Sequence, residues 1–339
     1  MAKILIALIV VAGGIFWWMG NQSSSNEVVV YTSVDDVFAR PVAARFEKET
    51  GIKVRLVPDT EETKSTGLLN RLIAEKKRPQ ADVFWSGDPV RAAILKGKEV
   101  SAPYQSPQAE GLPQQYSDPD GYWTGFSARA RVLIYNRDLI PEGQKPNSVM
   151  DLLDPRFKGK ACIANPLFGT TSMHAAALFS VLGEEKAKSF FAGFVDNSGK
   201  ILSSNGEVRR RVAAGEFAVG ITDTDDANVA RLEGKPVGIV YPDAEGMGTL
   251  IIPNCAVLIQ DGPNPEVGRQ FIDYLLQPET ETILAESEAA QMPLRQGVST
   301  PENVTPLETL KAMSVEYGKL AGLLDELSKG YLKEWVDGQ

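Results

Sequence analysis

Val28-Val29-Val30-Tyr31-Thr32-Ser33 is followed by apolar residues at Val37, Phe38, Val42, Ala43 and Phe46, and then by Gly51. Four consecutive apolar positions form a short strand of the kind buried on both faces, as in a parallel sheet. Thr32 and Ser33 supply capping hydroxyls, and the spacing after them predicts a helix that Gly51 ends. Ile52-Lys53-Val54-Arg55-Leu56-Val57 alternates as a second strand. Leu68, Leu69, Leu72 and Ile73 mark a second helix after Thr60, and Ala81-Asp82-Val83-Phe84-Trp85 a third strand. Strand-helix-strand-helix-strand order implies a parallel sheet flanked by helices, an α/β fold.

Outward from this stretch the pattern resumes. Residues 131–136 and 161–164 read as strands, 174–182 as a helix, 218–221 and 237–241 as strands, and 271–276 and 307–333 as helical runs. A chain of 339 residues exceeds one small core and suits two lobes of ordinary size. The strand exits carry polar punctuation: Thr32-Ser33, Thr60, Ser86-Gly87, Gly169-Thr170-Thr171 and Thr222-Asp223-Thr224. In an open parallel sheet the ligand crevice lies beyond the carboxyl ends of the strands, where helix N-termini offer N–H groups and partial positive charge. A single exit of this kind is a cap. Five of them, from two sheets, are what a cleft between two lobes requires.

A net charge of −9 excludes a nucleic-acid binder, which needs a basic face to displace counterions from phosphates. Arg209-Arg210-Arg211 is the densest basic run and reads as the solvated side of a helix. Lys3, an apolar run over residues 4–19 and a polar exit over residues 21–26 have the layout of a secretory signal. Trp17 and Trp18 suit a membrane interface instead, and no small-x-small cleavage site follows the run. A cleaved signal and an uncleaved anchor both remain open, and both put the rest of the chain outside the cytoplasm. Cys162 and Cys255 sit in apolar strand-like runs and read as two buried free thiols.

The motifs together resemble one family. Residues 28–33, the helix ending Phe46-Glu47-Lys48-Glu49-Thr50-Gly51, and Ala81-Asp82-Val83-Phe84-Trp85 are similar to the first lobe of the periplasmic ferric-iron-binding proteins. Gly125-Phe126-Ser127-Ala128-Arg129-Ala130-Arg131-Val132-Leu133-Ile134-Tyr135-Asn136 looks like their first hinge strand. Asp151-Leu152 through Pro155, with Lys158-Gly159-Lys160, looks like their entry into the second lobe. The resemblance runs from about residue 28 to about residue 295. It implies a class-II periplasmic binding protein: two α/β lobes, a hinge and a ligand cleft between them, serving an ABC importer with permease and ATPase subunits. The expected division is residues 1–26 as signal or anchor with linker, 27–130 with 255–300 as lobe one, and 131–254 with 301–339 as lobe two. A monomer in the periplasm or otherwise outside the cytoplasm, either free or membrane-anchored, is expected.

The family's metal chemistry does not carry over. Its usual ferric ligands are a His after the first strand, a Glu after the third and a pair of tyrosines in the second lobe. These fall here on Asp35, Gly87 and Thr224-Asp225. Carboxylates are hard oxygen ligands, so Asp35 and Asp225, with Asp223 and Asp226 near, are the candidate metal ligands. The alternative is that Asp223, Asp225 and Asp226 stabilise the N-terminus of the following helix. The family's anion half matches Gly169-Thr170-Thr171-Ser172 and Arg129, with Asn205 as a further donor. The full expected ligand-binding set is Thr32, Ser33, Asp35, Ser86, Arg129, Gly169, Thr170, Thr171, Asn205, Asp223, Thr224 and Asp225.

Acids on one side, with Arg and helix N-termini on the other, fit a zwitterionic solute. They fit a metal ion with its anion equally well. The cargo expected is therefore ferric ion with a synergistic anion, or a small solute such as a phosphonate or phosphate ester, and no cofactor. His174, the only histidine, reads as packed on its helix. With one His and no G-x-S-x-G, H-E-x-x-H or Walker loop, an enzyme is not expected. A membrane-anchored sensor or scaffold is the remaining alternative.

Overall fold

The structure, a computed structural model, describes residues 26–59 and 66–339. The apolar run at 4–19 and Thr60 lie outside the described residues. Among those described, no helix is long and apolar enough to cross a membrane.

The chain order is β1 (Glu27–Thr32), α1 (Asp36–Thr50), β2 (Lys53–Pro58), α2 (Thr66–Ala74), β3 (Val83–Ser86), α3 (Pro89–Gly97), β4 (Ser101–Ala102) and β5 (Thr124–Asn136). There follow β6 (Ala161–Ala164), α4 (Gly169–Leu182), α5 (Glu184–Asp196), β7 (Lys200–Leu202), α6 (Asn205–Ala213), β8 (Val219–Asp223), α7 (Thr224–Leu232), β9 (Val237–Val240) and β10 (Ile251–Ile259). The last helices are α8 (Pro265–Leu275), α9 (Pro278–Glu286), α10 (Tyr317–Lys329) and α11 (Tyr331–Asp337).

β1 pairs in parallel with β2 and β3, as the opening sequence predicts. β10 then inserts antiparallel between β3 and β5, closing the first sheet in the order β2-β1-β3-β10-β5. Alternate β1 residues serve two cores. Val28 and Val30 face Phe46, Trp85 and Phe271 on the side of α1 and α8, while Val29 and Tyr31 face the other way, toward Leu68 and Leu72 of α2. β5 is long because it belongs to two sheets. Its residues 124–130 pair with β10, and its residues 131–136 pair with β8 and β9. β8, β6 and β7 continue the second sheet in parallel. β5 and β10 are thus the strands that pass between the two lobes.

The register of β5 and β10 shifts between Pro253 and Asn254. Opposite this shift Ser127 takes φ +37°, a left-handed conformation that costs a serine energy. Buried Glu281 on α9 compensates. Its carboxylate accepts the Ser127 N–H at 2.8 Å, the Leu294 N–H at 2.8 Å and the Arg295 N–H at 3.2 Å.

The C-terminal region departs from expectation. The run 307–333 is not one helix, because an irregular stretch separates a single short turn at Leu307–Thr309 from α10. Nor does it lie against the second lobe alone, since α10 packs on both α3 and α4. Tyr317 lies edge-on to Trp123 at 6.2 Å and donates its hydroxyl to the Ile251 carbonyl at 3.1 Å. α11 presses Trp335 on Phe191 at 5.0 Å. Cys162 and Cys255 are buried and unpaired, and burial pushes both thiols up.

Candidate functional site between the lobes

A cavity of about 280 Å³ opens between the lobes. From the first lobe come Ser33, Asp35, Val37 and Phe38, at the start of α1, and Arg129 on β5. From the second come the N-termini of α4 (Phe168, Gly169, Thr170, Thr171), α6 (Ser203, Ser204, Asn205, Gly206) and α7 (Asp223, Asp225, Asp226). Each of these helices follows a strand end, so the parallel order of β6, β7 and β8 aims all three at one place.

The three N-termini differ in chemistry. α4 has no side-chain cap, and Gly169 enters it at φ +52°. The N–H groups of its first turn have no intrahelical acceptor. α6 is capped by Ser204, which accepts the Glu207 N–H at 3.1 Å. α7 carries Asp225 and Asp226 in its first turn. The capping alternative is met only in part: Asp223 stands at the N-cap without a capping hydrogen bond, whereas Asp225 Oδ1 accepts the Asp226 N–H at 3.0 Å.

The expected residues divide by position. Ser33, Asp35, Arg129, Gly169, Thr170, Thr171, Asn205, Asp223 and Asp225 line the cavity. Thr32, Ser86 and Thr224 do not; they are buried behind it, where Thr32 ties β1 to β3, Ser86 closes the turn after β3 and Thr224 ties the start of α7 to β5. Thr32 Oγ1 donates to the Trp85 carbonyl at 3.0 Å, Ser86 Oγ to the Asp88 carbonyl at 2.6 Å, and Thr224 Oγ1 accepts the Ala130 N–H at 3.2 Å. His174 is buried on α4 outside the lining.

The charges are not on opposite walls. Arg129 is 8% exposed, and its guanidinium is engaged by protein acids. Nη1 lies 3.3 Å from both Asp223 Oδ2 and Asp225 Oδ2, and Nη2 donates to the Gly87 carbonyl at 2.5 Å. Burial works against its charge, but the pull of Asp225, Asp223, Asp35 and Asp226 outweighs that and raises its pKa. Gly87 makes room for it, since a Cβ there would stand 3.1 Å from Nη2.

Arg131 is the residue that sequence reasoning passed over. Fully buried, it faces Asp223 across the β5–β8 register and donates to Asp223 Oδ1 at 2.6 Å and to Thr170 Oγ1 at 3.1 Å. Thr170 donates in turn to Asp223 Oδ2 at 2.7 Å. Burial pushes the Asp223 carboxyl up, yet the charges of Arg131 and Arg129 with these hydrogen bonds bring it below its ordinary value. Arg209 and Arg210 also line the cavity, so only Arg211, paired with Glu207 and Glu216, behaves as a plain solvated charge. Their signal was present: Ser204 and Asn205 begin a helix, which carries Arg209 back toward its own N-terminus.

Among the described residues, the lining contains no Tyr, His or Cys. Asp223, Asp225 and Asp226 bring one carboxylate oxygen each within 4.8 Å of one another, and among the described residues no other group of three potential metal ligands is this close.

Residues 78–317 match the family described as bacterial extracellular solute-binding protein. Iron uptake protein A1 of Synechocystis is 28% identical over 90% of this chain and 86% of its own length. A periplasmic protein of Salmonella typhimurium with 2-aminoethylphosphonate in its name is 31% identical, over 86% of this chain and 80% of its own. Among solved structures, the ferric binding protein from Campylobacter jejuni superposes with a TM-score of 0.81 at 23% identity, covering 91% of this chain and 99% of that one. The periplasmic binding protein AfuA from Actinobacillus pleuropneumoniae, solved with fructose-6-phosphate, gives 0.80 at 23%, covering 92% and 98%. These likenesses carry the two-lobe fold, and the family consists of solute-binding proteins rather than enzymes. By a match over most of its length, the chain belongs to the bacterial extracellular solute-binding protein family.

Proposed function

We propose that this chain captures a small organic solute bearing an anionic group of the phosphonate or phosphate-ester type and presents it to the permease of an ABC importer. The observation that carries the reading is the cavity: uncapped α4, the start of α6 and Arg210 offer donors to an anion, while among the described residues no Tyr, His or Cys lines it. Its volume also supports an organic ligand. About 280 Å³ holds roughly nine waters, far more than one ion and a small anion need, and lies near the lower end of small-molecule pockets. Asp35, on the first-lobe side, suits an ammonium group on the same ligand. The Salmonella relative's name supports that pairing, since 2-aminoethylphosphonate carries an ammonium and a phosphonate.

Ferric ion with an anion is the second reading, favoured by the three close carboxylates and by the iron-named relatives. Thermal-shift titration of the purified chain separates the two. A native-state ligand at a hundred times its Kd stabilises by about 2.7 kcal/mol. The expected outcome is a rise in Tm with aminoalkylphosphonates or phosphate esters and none with ferric citrate. A rise with ferric citrate alone sinks the organic reading.

A further inference from the structure

Arg129 reaches two of the cavity carboxylates, Asp223 and Asp225, and its geometry is uneven. The contact to Gly87 is short, at 2.5 Å. The contacts to Asp223 and Asp225 are long, 3.3 Å each and shared by one nitrogen, where charge-assisted pairs usually close to about 2.7–2.9 Å. Asp223 is already held by Arg131 at 2.6 Å and Thr170 at 2.7 Å. Asp223 therefore has strong donors without Arg129. Nη1 lies between two carboxylate oxygens rather than tightly on either, as a cation shared by two ligands would.

We infer that Arg129 determines the class of ligand: its guanidinium takes the place of a metal ion among Asp223, Asp225 and Asp226 and so keeps hard cations out of the cleft. This deepens the organic-solute reading and rests on it. Carboxylate oxygens bind hard cations at about 2.3–2.6 Å, so two ligand atoms of one ion stand at most about 5 Å apart. The three aspartates, within 4.8 Å, meet that limit. A metal entering there would meet a fixed positive charge that is itself buried, where repulsion is less screened than at an exposed site. Two features hold the guanidinium in place: the Gly87 carbonyl anchors it, and the missing Cβ of Gly87 admits it.

The test uses the full chain with terbium(III), an oxygen-seeking ion read by its luminescence, in wild type, Arg129→Gln and Arg129→Met. Gln removes the charge but keeps a polar amide, on a side chain two atoms shorter, and Met removes the charge with no polar hydrogen at all. The expected result is one-to-one terbium binding in both variants, at least about tenfold tighter than in wild type, and lost again when Asp225→Asn is added. Equal affinity in wild type and variants overturns the inference. So does a folded variant, by circular dichroism, that gains no binding, or failure of both variants to fold, which makes Arg129 a structural counter-ion. The organic reading is scored separately by the phosphonate titration of wild type. A failure there leaves the terbium comparison intact, and a failure of the terbium comparison leaves the phosphonate result standing.

Discussion

His174 titrates far from its ordinary range because burial, helped by the nearby Arg131 charge, brings its pKa from 6.5 down to about 3. The folded chain takes up this proton near pH 3 and the unfolded chain near 6.5. The associated stability is fully present above about pH 6.5 and is lost as pH falls toward 3. At pH 5 the loss is roughly 2 kcal/mol. Urea unfolding of His174→Gln should depend less steeply on pH than wild type between pH 6.5 and 4; identical slopes would show that His174 reaches solvent. Residue by residue, the sequence revealed the polar strand ends but not the pairing among them. Arg129 and Arg131 stand two apart on one strand and so share a face, yet only Arg129 was read as functional. What hid Arg131 is register: its partner Asp223 lies directly opposite in β8, and no local pattern states which strands meet.

At the level of elements, the parallel strands β1, β2 and β3 were legible because their apolar runs are continuous or cleanly alternating. β10 was legible only over residues 255–259, because Pro253-Asn254 interrupts a run that continues back to Ile251. The interruption is the register shift opposite Ser127, and Glu281 supports it from another helix, a relation no local pattern carries. Glu281→Ala should therefore cost about 3 kcal/mol, since it strands two buried N–H groups and one half-buried one that now meet one carboxylate. Urea denaturation checks this, and a loss below about 1 kcal/mol would mean that water replaces the carboxylate. α6 was legible only from its charged side, the Arg209-Arg210-Arg211 run, because only Val208 and Val212 are buried along it, too few to give a periodic signal.

For the whole molecule, the two-lobe plan followed from length and strand order, while the role of the last segment did not. Helices α10 and α11 complete packing on both lobes, with Leu320 and Leu332 fully buried. A chain ending at residue 316 should unfold with a lower midpoint and a shallower urea dependence, as both lobes lose a wall. An unchanged, cooperative transition would make the segment an ornament. The position of β10 has a further consequence, for synthesis. Nascent domains generally fold as units from the N-terminus, but here the strand that covers the β3 edge ends at Ile259, 173 residues after Ser86. At about 5–20 residues per second that interval is roughly 9–35 s. Throughout it the β3 edge offers unpaired backbone to any passing strand, so the growing chain is the stage at which this protein needs a chaperone most.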